Sequence, residues 1–267
     1  MLKFRQWLRS GNIGVGLVLG LLFCAVTFSV RSAVAAGIDQ QPTQATIPLA
    51  QVVITPTKDN TLYESTTGST SNGAGQHLFV GQTSGASTRR ALVAFDIAGQ
   101  IPAGATIVSA TLQLQMSKTN AGAEPIALHK VSADWGEGTS DANANEGSGA
   151  TATTGDATWQ HTFFNTAQWS TDGGDFASTA SATLSVSGIG FYTWGSTPGM
   201  VTDLQSWLDA PATNFGWILI GNETEVGTAK RFSSRENATV AARPQLTVVY
   251  QTSSEPPQIL YLPLIQK

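Results

Sequence analysis

Cysteine, histidine and charge are all scarce in this sequence. One cysteine and three histidines occur in 267 residues, and charged residues make up 12% of the chain. A single thiol, Cys24, excludes a disulfide within the chain. His77, His129 and His161 form no pair at metal-ligand spacing, which argues against a zinc centre. No G-x-S-x-G elbow is present. No glycine-rich stretch joins a strand to a long helix, as a nucleotide-binding loop requires. Carboxylate pairs such as Glu137 with Asp141 do occur, but a surface with 18 acidic residues produces them without function. A hydrolase or lyase is therefore not expected.

The first 36 residues stand apart. Lys3, Arg5 and Arg9 precede an apolar run from Ile13 to Val30, and the small residues of "RSAVAAG" follow. This is the layout of a secretory signal, cut after Ala35 or Ala36. An uncleaved anchor is the rival, since such a run nearly spans a bilayer. Phe23 precedes Cys24 where a lipoprotein signal needs a small residue. Removing the signal takes away Lys3, Arg5, Arg9 and Arg31 and no acid. The 14 Lys+Arg then become 10 against 18 Asp+Glu, a net charge of −8. Nucleic acid is excluded as a partner, because phosphate demands a positive surface. No further membrane-spanning run follows, and the expected location is extracellular or at the cell surface.

Residues 37–50 read as a flexible leader. From Gln51 the chain alternates short apolar stretches with Gly, Ser, Thr and Asn. "QHLFVGQ" (76–82), "ALVAFDI" (91–97), "PIALHKV" (125–131), "FGWILIG" (215–221), "AKRFSS" (229–234) and "QLTVVY" (245–250) read as strands. "IVSATLQLQM" (107–116) is the clearest: Ala110, Leu112, Leu114 and Met116 point one way and Thr111, Gln113 and Gln115 the other. Period-two patterning means one buried and one wet face. The spacing predicts an all-β domain over 51–251, an antiparallel β-sandwich of jelly-roll type. One short helical turn interrupts in "VTDLQSWLDAP", with Thr202 as cap, Gln205 three residues on, and Pro211 as stop. Leu204, Trp207 and Leu208 would share its buried face. Residues 134–182 are rich in Gly, Ala, Thr and Asp and read as a long functional loop region. Residues 252–267 form a linker and the apolar tail "ILYLPLIQK", either a docked strand or a peptide that attaches to a cell-surface protein by adding to its sheet edge.

Several stretches, taken together, resemble a known family. They are "DNTLYES" (59–65), "RRALVAFDIAGQIPAGATIVSATLQLQM" (89–116), "LHKVSADWGEGTSDA" (128–142), "NFGWILIGN" (214–222) and "FSSRENATVAARPQLTVVY" (232–250). The family is DNRLRE, or disaggregatase-related, and it is similar to carbohydrate-binding module family 96. The similarity runs from about Val52 to Tyr250. It implies a β-sandwich that accompanies polysaccharide-degrading or cell-surface proteins, some members of which bind acidic polysaccharides such as alginate. Relatives often place an aspartate just before the "VT" of the helical turn; here Met200 holds that place and Asp203 follows.

Sugar recognition needs an aromatic face for the ring and polar groups for the hydroxyls. Of the 7 tryptophans, Trp7 lies in the signal, and Trp207 and Trp217 read as core. Trp135, Trp159, Trp169 and Trp194 sit in loop-rich sequence and are the candidate platforms, each weighed against a role as a loop anchor. An acidic sugar would add a demand for cations, which Arg89, Arg90, Lys230 and Arg231 offer if their strands are neighbours. Plain alternation would instead leave Lys230 in water, and Arg235 would pair with Glu236 or an aspartate in a neighbouring loop. No cofactor is required. Calcium is a candidate ion, with Asp59 and Asn60 in "TKDNT" among the oxygen ligands it would take. The expected function is that of a secreted, non-catalytic carbohydrate-binding module with a polysaccharide as partner. The alternative is a structural or adhesive surface protein, with the sandwich as spacer and the tail for attachment.

Overall fold

The computed structural model describes residues 48–252. The signal, Cys24, nearly all of the leader and the apolar tail lie outside them. Fifteen strands follow in chain order. They are β1 (Leu49–Ile54), β2 (Lys58–Tyr63), β3 (Thr70–Ser71), β4 (His77–Gln82), β5 (Thr88–Ala94), β6 (Thr106–Thr119), β7 (Glu124–Val131) and β8 (Ala150–Thr151). They continue with β9 (His161–Phe163), β10 (Ala167–Gln168), β11 (Phe176–Val186), β12 (Gly190–Trp194), β13 (Trp217–Ile220), β14 (Lys230–Ser233) and β15 (Gln245–Gln251). Eleven strands form one curled antiparallel sheet in the order β1-β15-β6-β14-β4-β5-β13-β7-β11, with β12 also on β6 and β2 also on β5. The curl folds this sheet into an all-β sandwich.

The two layers stay joined through β4. His77 to Val80 pair with Ser233 to Lys230 of β14, whereas Gly81 and Gln82 pair with Arg89 and Thr88 of β5. The strand therefore changes layers at Gly81. That residue has φ +103, and a Cβ there would meet the Thr228 carbonyl at 3.0 Å. Glycine alone suits such a corner.

Alternation along β6 is as the sequence predicts. Ala110, Leu112, Leu114 and Met116 are buried in the main core, and Thr111, Gln113 and Gln115 on the other face are not. Leu112 faces Leu246 of β15 on one edge and Trp194 of β12 on the other. The opposite layer contributes Ala91, Val93, Leu128, Trp217 and Leu219. Burying side chains of this size contributes about 1.5–3 kcal/mol each.

The helix is longer than the sequence suggests. α1 (Pro198–Asp209) has 12 residues, and its cap is Thr197, whose hydroxyl accepts from Met200 N. Pro198 at the first helical position supplies a preset φ, so the start lies ahead of Thr202. Gln205 serves elsewhere, accepting from Ile107 N and donating to the Ala105 carbonyl. Leu204, Trp207 and Leu208 are buried as expected. Trp207 meets Trp217 edge-on with ring centroids 4.7 Å apart. Asp203 is buried with them and accepts from Trp217 Nε1 at 2.8 Å and from the Ser181 hydroxyl. It ties the helix to both β11 and β13.

The stretch "TKDNT", which is not among the strands expected from the sequence, runs into strand β2. Its residues Asp59, Asn60 and Thr61 are polar and fully buried. Leu62 and Leu92 of β5 face outward into a second, smaller core with Val131, Trp135, Trp169 and Ile218. Residues of the loop region after β7 cover this outer face. They do so by anchoring on tryptophan and by hydrogen bonding, since they carry few other apolar groups. Gly138, at φ +72, turns the chain there in the left-handed region.

Asp203→Leu would leave the Trp217 N–H and the Ser181 hydroxyl buried without an acceptor. The expected loss in unfolding free energy is at least about 1–3 kcal/mol, read from urea denaturation; an unchanged midpoint would show that the aspartate is not a tie.

Candidate functional site

The layer change in β4 brings four strands around one hollow. Lys118 near the end of β6 is the cross-strand partner of Arg231 on β14, and Arg231 lies opposite Phe79 on β4. Arg89, on β5, lies opposite Gly81. Between them is a groove of about 190 Å³. Phe79, Arg89, Lys118 and Arg231 line it together with the amides of Asn120 and Asn145, and no carboxylate does.

The cations differ in how they are held. Arg89 is buried under the Tyr63 ring, 4.7 Å from its centroid, and donates to Ser87 Oγ at 2.7 Å and the Thr88 carbonyl at 2.8 Å. Burial pulls its pKa below the ordinary guanidinium range. Arg231 uses only Nε, which donates to Ser117 Oγ at 3.0 Å. Its terminal nitrogens and the exposed Lys118 ammonium bond none of the described residues. Like charges directly across a ladder repel, so Lys118 and Arg231 create a local field that an anion would relieve.

The other wall of the groove is residues 142–149. Ala144 and Glu146 stand at φ +63 and +59, in the left-handed region. Such strain persists only when neighbours impose it. Here the Glu146 carboxylate accepts from Asn72 Nδ2 at 3.0 Å and His77 N at 2.8 Å, and its carbonyl accepts from the Tyr63 hydroxyl at 2.9 Å. Asn72 Oδ1 accepts in turn from Ala142 N at 2.8 Å. Burial works to raise the Glu146 pKa, but the hydrogen bonds from His77 and Asn72 outweigh it and hold the carboxyl below the usual range.

Lys230 also lines the groove, but protein acceptors take up its ammonium. It shares the inward face of β14 with Phe232, and its ammonium donates to the Gly122 carbonyl at 2.7 Å. Alternation therefore turns Arg231 outward and buries Lys230, the reverse of a solvated lysine. Arg90 is committed as well. Its guanidinium holds both oxygens of Glu223 at 2.8 and 2.9 Å, donates to the Gly173 carbonyl, and lies 4.9 Å over Trp159.

Three of the four candidate tryptophans are anchors with no free ring face. Trp194 is in the main core and donates to the Ile126 carbonyl at 2.9 Å. Trp135 and Trp169 are in the second core and donate to the Phe215 and Thr158 carbonyls. Trp159 alone is half-buried, beside a shallow cleft of about 360 Å³ that it shares with Glu64 and Asp172.

Asp59 and Asn60 part company. The Asn60 oxygen accepts from Thr61 N, Asn72 N and Ser71 Oγ, and its amide donates to the Glu137 carbonyl at 2.9 Å. With its hydrogen bonds so used, it is not a metal ligand. Asp59 instead meets Glu137 and Glu236, with one oxygen of each carboxylate within 4.8 Å of the others. Arg235 sits among them, donating to both Glu137 oxygens at 3.0 and 2.9 Å and to Glu236 Oε1 at 2.6 Å. This pairs Arg235 as the sequence suggests, and adds Glu137. Burial, then the neighbouring Glu236 charge, pushes the Asp59 carboxyl well above its ordinary pKa. Glu137 is thus turned toward Arg235, while Asp141 is exposed.

Residues 50–166 match the sequence model of carbohydrate-binding module family 96. The suspected resemblance is borne out over that stretch, which runs from β1 through β9 and carries Phe79, Arg89, Lys118 and the 142–149 wall. Arg231 and Glu236 lie beyond it. No curated protein matches the chain.

Sequence reasoning missed Phe79, Lys118, Asn120 and Asn145. Lys118 had a signal, as the single charge in a 14-residue strand. The asparagines had none, being two among many in polar turns. Glu146→Gln should lower stability at neutral pH by about 1.5–3 kcal/mol, the worth of hydrogen bonds to a charged group. Its folded pKa is depressed, so the contribution is present above the unfolded value of about 4.3 and lost as pH falls through the folded one. Unfolding curves of the two proteins should therefore converge in acid; a gap that is constant with pH would refute the charged role.

Proposed function

We propose that the protein is a secreted, non-catalytic module that binds an acidic polysaccharide, with the groove at the seam holding a sugar carboxylate. The observation that carries this reading is the gathering of Arg89, Lys118 and Arg231 around a groove lined by no carboxylate, on a chain with more acids than bases. The family match supports carbohydrate as the ligand class. At about 190 Å³ the groove is smaller than the roughly 300–1,000 Å³ of sites that enclose whole small molecules. It would grip one unit of a chain and leave the rest on the surface. Arg231 would supply two forked N–H donors to the carboxylate, Lys118 a mobile charge, Asn120 and Asn145 partners for hydroxyls, and Phe79 an apolar floor.

Polysaccharide binding is measured by calorimetry with a polyuronate and with a neutral glucan. The polyuronate should bind and the glucan should not, and affinity should fall as salt rises. Arg231→Ala and Lys118→Ala should each weaken binding about tenfold, or ~1.4 kcal/mol. Unchanged affinity in both variants would remove the groove from the reading. Silence toward every polymer would favour a spacer attached through the apolar tail.

A further inference from the structure

We infer that Asp59, Glu137 and Glu236 form a binding site for one calcium ion, distinct from the basic groove. One oxygen from each of the three carboxylates lies within 4.8 Å of the others. Acidic residues often cluster on surfaces without a ligand, but two further facts set this group apart. Asp59 is 1% exposed, and its Oδ1 has no hydrogen-bond partner among the described residues; Glu236 Oε2 is likewise buried and unpartnered. A buried carboxylate oxygen without a donor carries the full desolvation penalty.

Each remaining oxygen accepts at least one hydrogen bond, and Glu137 Oε2, which accepts from Arg235 alone, keeps a lone pair for an ion. Asp59 Oδ2 accepts from Arg235 N at 2.7 Å. Glu137 Oε1 accepts from Asp59 N at 2.8 Å as well as from Arg235. Glu236 Oε1 accepts from the same guanidinium. Protein donors therefore satisfy one oxygen each of Asp59 and Glu236 and leave the other of each bare. Charge points the same way. Three carboxylates and one guanidinium leave two negative charges in a mostly dry space, and a divalent cation balances them. Hard oxygen donors without nitrogen or sulfur select calcium over zinc or copper. The side chains of Glu137 and Glu236 retain 22% and 23% exposure, which opens one side of the site to water as the ligands that complete coordination. Bound there, the ion would join β2, the turn after Trp135 and the turn after β14.

The test is a calorimetric titration of the chelator-stripped protein with calcium chloride, together with its Tm with and without millimolar calcium. One ion per chain and a Tm that climbs by several degrees with calcium are expected, since a ligand bound only by the folded state raises stability by mass action. Asp59→Asn and Glu236→Gln, checked for folding by circular dichroism, should each lose both effects. If Asp59→Asn does not fold, Glu236→Gln decides, and the wild-type titration stands apart from either. No heat and no Tm shift in the wild-type protein would overturn the inference and leave a proton shared between Asp59 and Glu236 as the balancing charge. Calcium binding that survives Glu236→Gln would overturn it too.

Discussion

The amide of Asn60 is the constraint on which most of this structure depends. It sits fully buried in a strand whose neighbours Asp59 and Thr61 are also polar. Its two ends make six hydrogen bonds, to Ser71, Thr61, Asn72 and the carbonyls of Glu137 and Ala157. A strand of this composition can be buried only if every such group finds a partner. Two of those partners, the Glu137 and Ala157 carbonyls, come from the long region after β7, so the strand and the region that covers it require each other. Once they meet, Trp135 and Trp169 close the second core. Asn72 is set to hold Glu146, and Glu137 is brought to Arg235.

That dependence explains what could and could not be read from the chain. β6 was legible because one of its faces is wet, and its alternation therefore survives in the residues themselves. β2 was not, because long-range hydrogen bonds compensate its polar side chains, and no local pattern records them. The helix was placed correctly in kind, but its start was hidden: Thr197 and Pro198 are a better beginning than Thr202, and only their position against β11 reveals it. For the loop tryptophans the sequence leans toward the anchor over the platform, and packing bears out the anchor in Trp135, Trp169 and Trp194. For the basic residues, the type was visible and the direction was not. Phe232 belongs to the core, and alternation from it makes Lys230 an inward residue and Arg231 an outward one.

Charge is sorted over short distances. Arg231 and Arg235 are four residues apart, on either side of the end of β14, and enter opposite surroundings. One stands with two other cations around a groove, the other among three carboxylates. Neither setting follows from the net charge of the chain, which speaks only to its partners at long range. A local excess of each sign, placed by the same strand, is what gives an acidic protein a surface that can receive an anion.

The corner at Gly81 has a bearing on how such a surface would work. A sandwich made of two separate sheets can let them slide or splay, and a groove between them would then breathe. Here the backbone ladder runs unbroken through β4 from one layer into the other, and the hollow is built on the continuous part. The side of its mouth that the strands supply is as stiff as the ladder itself. A sugar entering it would order little of the protein, so that less of the interaction is spent on freezing motion. The trade is a narrow tolerance: a chain unit of the wrong shape would meet walls that do not give.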